Sequence, residues 1–102
     1  MKELNFNNIK KTTFKVTLPD ENQTKLTLLT PTKSVIAQMK KATSSEADES
    51  DMFELTAKVM SRNKEKFRVT VKHLEDCLDL EDIIIFFDKY MDYVNEMANQ
   101  KN

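Results

Sequence analysis

The sequence predicts an α+β fold, in which an N-terminal β-hairpin precedes a small bundle of about four helices, the last one longest. Three observations lead to this prediction. Apolar and polar residues alternate in two runs on either side of residues 19–23. Several later segments begin with a capping residue and continue with helical spacing. The segment after Asp79 has the most extended helical periodicity of apolar residues in the chain.

Length and composition restrict the classes of function. The chain has the size of one domain, so we assign residues 1–102 to a single unit. Its 16 Lys and Arg residues against 17 Asp and Glu give a net charge of -1, which favours no class of partner. The absence of Gly excludes the usual phosphate-binding loops and nucleophile elbows. We therefore expect a protein that is not an enzyme and has no cofactor.

The N-terminal part is predicted to contain a flexible arm at residues 1–11 and the hairpin at residues 12–30. Because the chain lacks Gly, we expect Asn22 or Asp20 to take any positive-φ position in the hairpin turn. A two-stranded hairpin is marginal in water by itself, so its apolar face must pack on the helices or on another subunit.

Residues 31–99 are predicted to be helical, apart from a solvated linker at residues 43–50 that has no large apolar side chain. Pro31 lies between two threonines, where a hydroxyl cap and an early proline favour the start of a helix. Asp51 and Glu54 have the spacing of a capping box, which predicts the start of the second helix.

The last two helices have clear capping signals. Thr70 is placed to cap a short third helix, and Asp79 is placed to cap the fourth. In the fourth helix apolar residues recur at intervals of three and four, which predicts one stripe that faces the core. That stripe consists of Leu80, Ile84, Phe87, Met91, Val94 and Ala98.

The predicted core draws on every element after the arm. The side chains that we expect to be buried are Phe14, Val16, Leu26, Leu28, Ile36, Leu55, Val59, Leu74, Ile84, Phe87 and Met91.

The fourth helix carries more apolar residues than one stripe needs. Ile85, Phe86 and Tyr93 project further round the helix, and Met97 widens the stripe. Exposed apolar surface promotes association, so these four residues are our candidate protein interface, unless the hairpin and the other helices cover them. Four methionines on predicted helix faces would make such a surface adaptable or would fill gaps in the core: Met39, Met52, Met60 and Met91.

Few residues have the arrangement of a chemical site. His73 and Cys77 are four residues apart on a predicted helix, as a metal site or a thiol–imidazole pair would require. No third ligand is implied, and a surface His beside a core-edge Cys is the favoured interpretation. The carboxylate pairs at 75–76 and 81–82 are explained as charges near helix starts. We therefore predict no catalytic and no metal-binding residues.

Residues 58–72 are basic, with Glu65 as the one acid among six Lys and Arg residues. Such a stretch is able to contact phosphates. The acidic residues at 75–82 follow without a base among them. Neutralisation within the chain, or a partner with a matching polarised surface, therefore explains the basic stretch equally well.

The order of these elements resembles a known family. Residues 10–39 and 69–97 are similar to the small tail assembly chaperones of long-tailed phages and prophages of Gram-positive bacteria. The closest similarity is Leu-Asp-Leu-Glu-Asp at 78–82, which continues through Phe-Phe-Asp-Lys-Tyr at 86–90. The acidic segment at 43–51 matches no part of the family pattern.

The resemblance implies a non-enzymatic protein, in which a hairpin leads to a compact helical bundle. Members of the family bind the long, aggregation-prone tape-measure protein and keep it soluble until tail-tube subunits polymerise around it. The family has no catalytic residues to carry over, and no motif defines its client-binding residues. The expected partners are this protein client and other copies of the chain.

Two other functions are compatible with the sequence. A phage structural or connector protein would use the hairpin and helix faces for self-assembly, and a small regulator would bind nucleic acid through residues 58–72.

The longest apolar run, residues 83–87, is far shorter than the roughly 20 residues of a membrane helix. The first residues are too polar for a signal peptide, so we expect the protein in the cytoplasm of the bacterial host.

Overall fold

The computed structural model describes residues 3–5, 12–44 and 48–99 of the chain. An antiparallel hairpin is followed by four helices, and the last helix, of 20 residues, is the longest of these, which confirms the predicted fold class. The elements in order are β1 (Phe14–Thr17), β2 (Lys25–Leu28), α1 (Lys33–Ser44), α2 (Glu49–Met60), α3 (Val71–Cys77) and α4 (Leu80–Asn99).

The hairpin turn is organised by one carboxylate. Asp20 accepts hydrogen bonds from the backbone N–H and the hydroxyl of Thr24, at 2.8 and 2.7 Å. The positive φ of the turn, 47°, belongs to Gln23, so the prediction of Asn22 or Asp20 is wrong. The physical reason is that the Asp20 side chain accepts hydrogen bonds from Thr24. Gln23, the residue just before that threonine, therefore reverses the chain direction and takes the positive φ.

The segment after α2 packs along β2 as a loop. The Leu29 N–H donates to the carbonyl of Arg62 at 2.9 Å, and the Lys64 N–H donates to the carbonyl of Thr27 at 3.0 Å. The buried Asn63 amide holds the loop closed by donating to the carbonyl of Phe67 and accepting from its N–H. The segment therefore lies beside β2 without forming a third strand, and an isolated β-bridge joins Leu28 to Asn63.

Two predicted helix boundaries need correction. The cap of α2 is Asp48, whose side chain accepts from the N–H of Asp51 at 2.9 Å, so Asp51 lies inside the helix. Helix α1 also continues to Ser44, which leaves a shorter connection than the predicted linker at 43–50. The reason for the first correction is that the capping side chain, here Asp48, decides where α2 begins. Residues 45–47 and most of the predicted arm lie outside the described residues.

The core includes most of the predicted side chains. Buried among them are Leu26, Leu28, Leu55, Val59, Leu74 and Phe87. Partly buried against the same core are Phe14, Val16, Ile36 and Met91. The remaining prediction is wrong, because Ile84 is exposed.

Helix α4 is turned so that Phe86 and Tyr90 face the hairpin. The Phe14 ring of β1 lies 6.2 Å from the Phe86 ring and 5.5 Å from the Tyr90 ring, between ring centres. The Tyr90 hydroxyl donates to the backbone carbonyl of Leu29 at 2.8 Å. Because this hydroxyl needs an acceptor when it is buried, it anchors the rotation of α4, and Ile84 is displaced towards solvent.

Candidate protein-binding site

The start of α4 is held by two reciprocal hydrogen bonds. The Asp79 side chain accepts from the N–H of Asp82 at 2.9 Å, and the Asp82 side chain accepts from the N–H of Asp79 at 3.0 Å. This is a capping box made of two aspartates, and it confirms Asp79 as the predicted cap. It also explains the carboxylate at position 82 by local structure.

Three consecutive isoleucines follow this cap and have different environments. Ile83 is completely buried, whereas Ile84 and Ile85 are 52 % and 51 % exposed. Adjacent helical residues point about 100° apart, so two of the three leave the core face. Large exposed aliphatic side chains next to each other are unusual at a surface that meets only water, and they mark this end of α4 as a candidate contact surface.

A cleft opens beside Ile84, between α4 and the helices α1 and α2. Its volume is about 440 Å³. Its lining residues come from all three helices: Ala42, Met52, Ile84, Phe87, Asp88 and Met91. Five of these six residues are apolar, and we call this surface the α4 cleft. Its size and composition are typical of a site that accepts apolar groups.

The structure does not bring the four sequence-predicted interface residues together. Phe86 is a core residue, only 8 % exposed, and this corrects its assignment to a surface. Tyr93 is half-buried, with its ring beside Phe14 and its hydroxyl donating to the carbonyl of Thr12 at 2.9 Å. Met97 is half-buried, and Ile85 is exposed outside the lining of the α4 cleft. The physical reason is that the hairpin covers the side of α4 from which Phe86 and Tyr93 project.

Sequence reasoning missed the α4 cleft because it combines residues from three separate helices. The helical periodicity alone assigns Ile84 and Met91 to the core stripe. The methionines gave a partial signal: Met39 and Met60 are buried, but Met52 and Met91 line the cleft. A flexible thioether side chain at such a place can adjust to different apolar partners.

His73 and Cys77 do not form a reactive pair. His73 Nε2 lies 2.9 Å from a carboxylate oxygen of Asp20 and joins α3 to the hairpin turn. Burial raises the pKa of the Cys77 thiol, and the nearby carboxylates of Asp20, Asp76 and Asp82 raise it further. A thiol with a raised pKa is a poor nucleophile at neutral pH. Within residues 3–5, 12–44 and 48–99, no group of three or more His, Cys, Asp or Glu side chains is arranged to hold a metal ion.

Part of the basic stretch has a structural role. The Arg62 guanidinium donates two hydrogen bonds to the carbonyl of Thr30, at 2.8 and 3.2 Å. The Glu65 carboxylate accepts from the N–H and the hydroxyl of Thr27, and these bonds lower the pKa of Glu65. The stretch therefore fastens the loop to β2, although all six of its Lys and Arg residues are exposed.

The comparisons with known proteins give no assignment. Over the described part of the chain, no helix combines the length and the apolar character that crossing a membrane demands. No family model, no curated protein and no solved structure matches this chain.

Proposed function

We propose that this protein is a non-enzymatic tail assembly chaperone, which holds apolar helical segments of a phage tape-measure protein in the α4 cleft. In this proposal it acts in the cytoplasm of the bacterial host during tail assembly. The resemblance of residues 10–39 and 69–97 suggests the client, and the α4 cleft with its exposed Ile84 is the observation that carries the proposal.

The cleft is suited to a helix in physical terms. Recognition of a helix in a groove uses apolar anchors that project from one face of the bound helix. An open, apolar cleft of about 440 Å³ accommodates a few such side chains. Met52 and Met91 on its walls would allow one cleft to hold successive segments of a client whose apolar residues differ.

Co-expression with fragments of the tape-measure protein from the same phage genome tests the proposal. We expect the wild-type chain to increase the soluble fraction of these fragments, and the variant Ile84→Glu to lose this effect because it places a charge in the cleft. The matched control is Ile85→Glu, since Ile85 is equally exposed on the same helix but lies outside the cleft lining. Equal aggregation of the fragments with and without the wild-type chain would refute the proposal.

Self-assembly is the second candidate function, because the exposed Ile84 and Ile85 side chains would also suit a contact between copies. The purified chain without a client distinguishes the two functions by its size in solution. A closed ring or a filament that Ile84→Glu dissociates would favour a structural or connector protein. A monomer or a small oligomer that still solubilises the tape-measure fragments would favour the chaperone.

A further inference from the structure

We propose that the helix bound in the α4 cleft carries lysine or arginine residues along the border of its apolar stripe, on the side that faces α4. This inference rests on the proposed function and specifies the chemistry of the client. Its basis is the distribution of charge around the cleft.

Four exposed carboxylates form a line along α4 next to the cleft: Glu81, Asp88, Asp92 and Glu96. Their separations of seven, four and four residues place them on one side of the helix, over a length of about 22 Å at 1.5 Å per residue. Asp88 itself lines the cleft together with the apolar side chains of Ile84 and Met91. A helix lying in the cleft would therefore have this acidic line beside it.

Glu81 lies in the first turn of α4, where the helix dipole favours acids, but the stability of α4 does not explain the other three charges. Asp88, Asp92 and Glu96 are spaced four apart, and like charges at this spacing destabilise a helix. Glu96 also lies near the C-terminal end of α4, where the helix dipole favours cations, and the last turn contains no base. Within the part of the chain that the structure describes, none of the four carboxylates is in an ion pair. Their charge is available to a partner.

The other rims of the cleft limit where the partner's cations would lie. On α2, the exposed Glu49 and Asp51 precede the lining residue Met52 and add negative charge. On α1, Lys41 projects about 100° and Lys40 about 200° from the lining residue Ala42, so these two lysines do not line the cleft. Charge complementarity therefore favours a helix whose apolar stripe contacts Ile84 and Met91 and whose basic border faces α4, and the acids of α2 do not oppose this orientation.

Two synthetic helical peptides with the same apolar stripe test this inference, one with lysines and the other with glutamates beside the stripe. We expect the lysine peptide to bind the wild-type chain about tenfold more tightly at low salt, as several exposed charge pairs would give. This preference should shrink as the salt concentration rises, because screening weakens exposed pairs. The salt dependence is measured on the wild-type chain, so the result does not depend on how a substitution affects folding.

Charge-reversed variants locate the preference. Asp88→Lys with Asp92→Lys should abolish it, whereas Glu75→Lys with Asp76→Lys, which changes the net charge equally on α3, should keep it. Equal binding of both peptides, binding of neither, or an unchanged preference in the Asp88→Lys, Asp92→Lys variant would overturn the inference. If Ile84-dependent solubilisation of tape-measure fragments persists in that case, the proposed function survives and only the charge of the client is wrong.

Discussion

Asp20 is one of the residues that join the hairpin to the helices. Its carboxylate accepts the backbone and hydroxyl hydrogen bonds of Thr24 in the hairpin turn and contacts His73 of α3. The bonds from Thr24, with a further contribution from His73, lower the pKa of Asp20 from 3.8 to about 2. A carboxyl whose pKa is lower in the folded state stabilises the fold when it is ionised.

Asp20→Asn tests this contribution. The stabilisation by Asp20 is complete above its unfolded pKa and is lost as the pH falls from about 4 to 2, through the folded value. We expect the variant to be less stable than the wild type at pH 7 and to lose less stability over that acid range. Urea denaturation at several pH values measures both effects. Asp76→Asn on the exposed surface is the control, and an unchanged acid slope in Asp20→Asn would contradict the assignment.

Tyr90 makes the corresponding contact in the core. Burial raises the pKa of the Tyr90 hydroxyl above its ordinary value of 10.0, and its bond to the Leu29 carbonyl joins α4 to the end of β2. Tyr90→Phe should reduce the free energy of unfolding by about 1–2 kcal/mol, because the partly buried Leu29 carbonyl loses its donor. Tyr93→Phe, which removes a more exposed bond to Thr12, should cost less.

The same variant has a predicted effect of pH. A raised folded pKa means that the stabilisation by Tyr90 is complete below about pH 10 and falls as the pH rises above that value. Tyr90→Phe should therefore show a shallower alkaline loss of stability than the wild type does. Parallel alkaline profiles for the two proteins would show that the Tyr90 hydroxyl is not linked to folding.

At the scale of the element, α4 shows which features local sequence decides. The caps at Thr70 and Asp79 depend on a side chain and an N–H three residues later, so the sequence predicted them correctly. The buried face of α4 depends on what packs against it. Ile83 and Ile84 both fit the helical periodicity, and only the position of the hairpin decides which of the two side chains is buried.

The three isoleucines at the start of α4 provide a test at this scale. Ile83→Ala should lower the free energy of unfolding by about 2–5 kcal/mol, because it leaves a cavity in the core. Ile84→Ala and Ile85→Ala should each cost less than about 1 kcal/mol, since their side chains are half exposed. Chemical denaturation of the three variants measures the order, and a large loss for Ile84→Ala would mean that α4 has the rotation predicted from sequence.

At the scale of the whole molecule, the hairpin and the helices are expected to unfold together. The hairpin cannot be stable alone, and it is attached to α4 through the Phe14 ring and Tyr90, to α3 through Asp20, and to the loop after α2. We predict one cooperative transition, with coincident curves from far-ultraviolet circular dichroism and from tyrosine fluorescence. A tyrosine signal that changes before the helical signal would contradict this, because Tyr90 and Tyr93 both contact Phe14 of β1.

The sequence by itself determined the order of the elements, the two-strand hairpin, most of the core residues and the caps of the last two helices. These features depend on residue spacing and on contacts within a few residues. Only the tertiary structure decided the rotation of α4, the exposure of Ile84 and the α4 cleft. The reason is that Ala42, Met52 and Met91 come from three helices, and no local pattern specifies which faces of separate helices meet. The packing of Phe14 on Phe86 and Tyr90 determines which face of α4 is buried and therefore which face is left to the cleft.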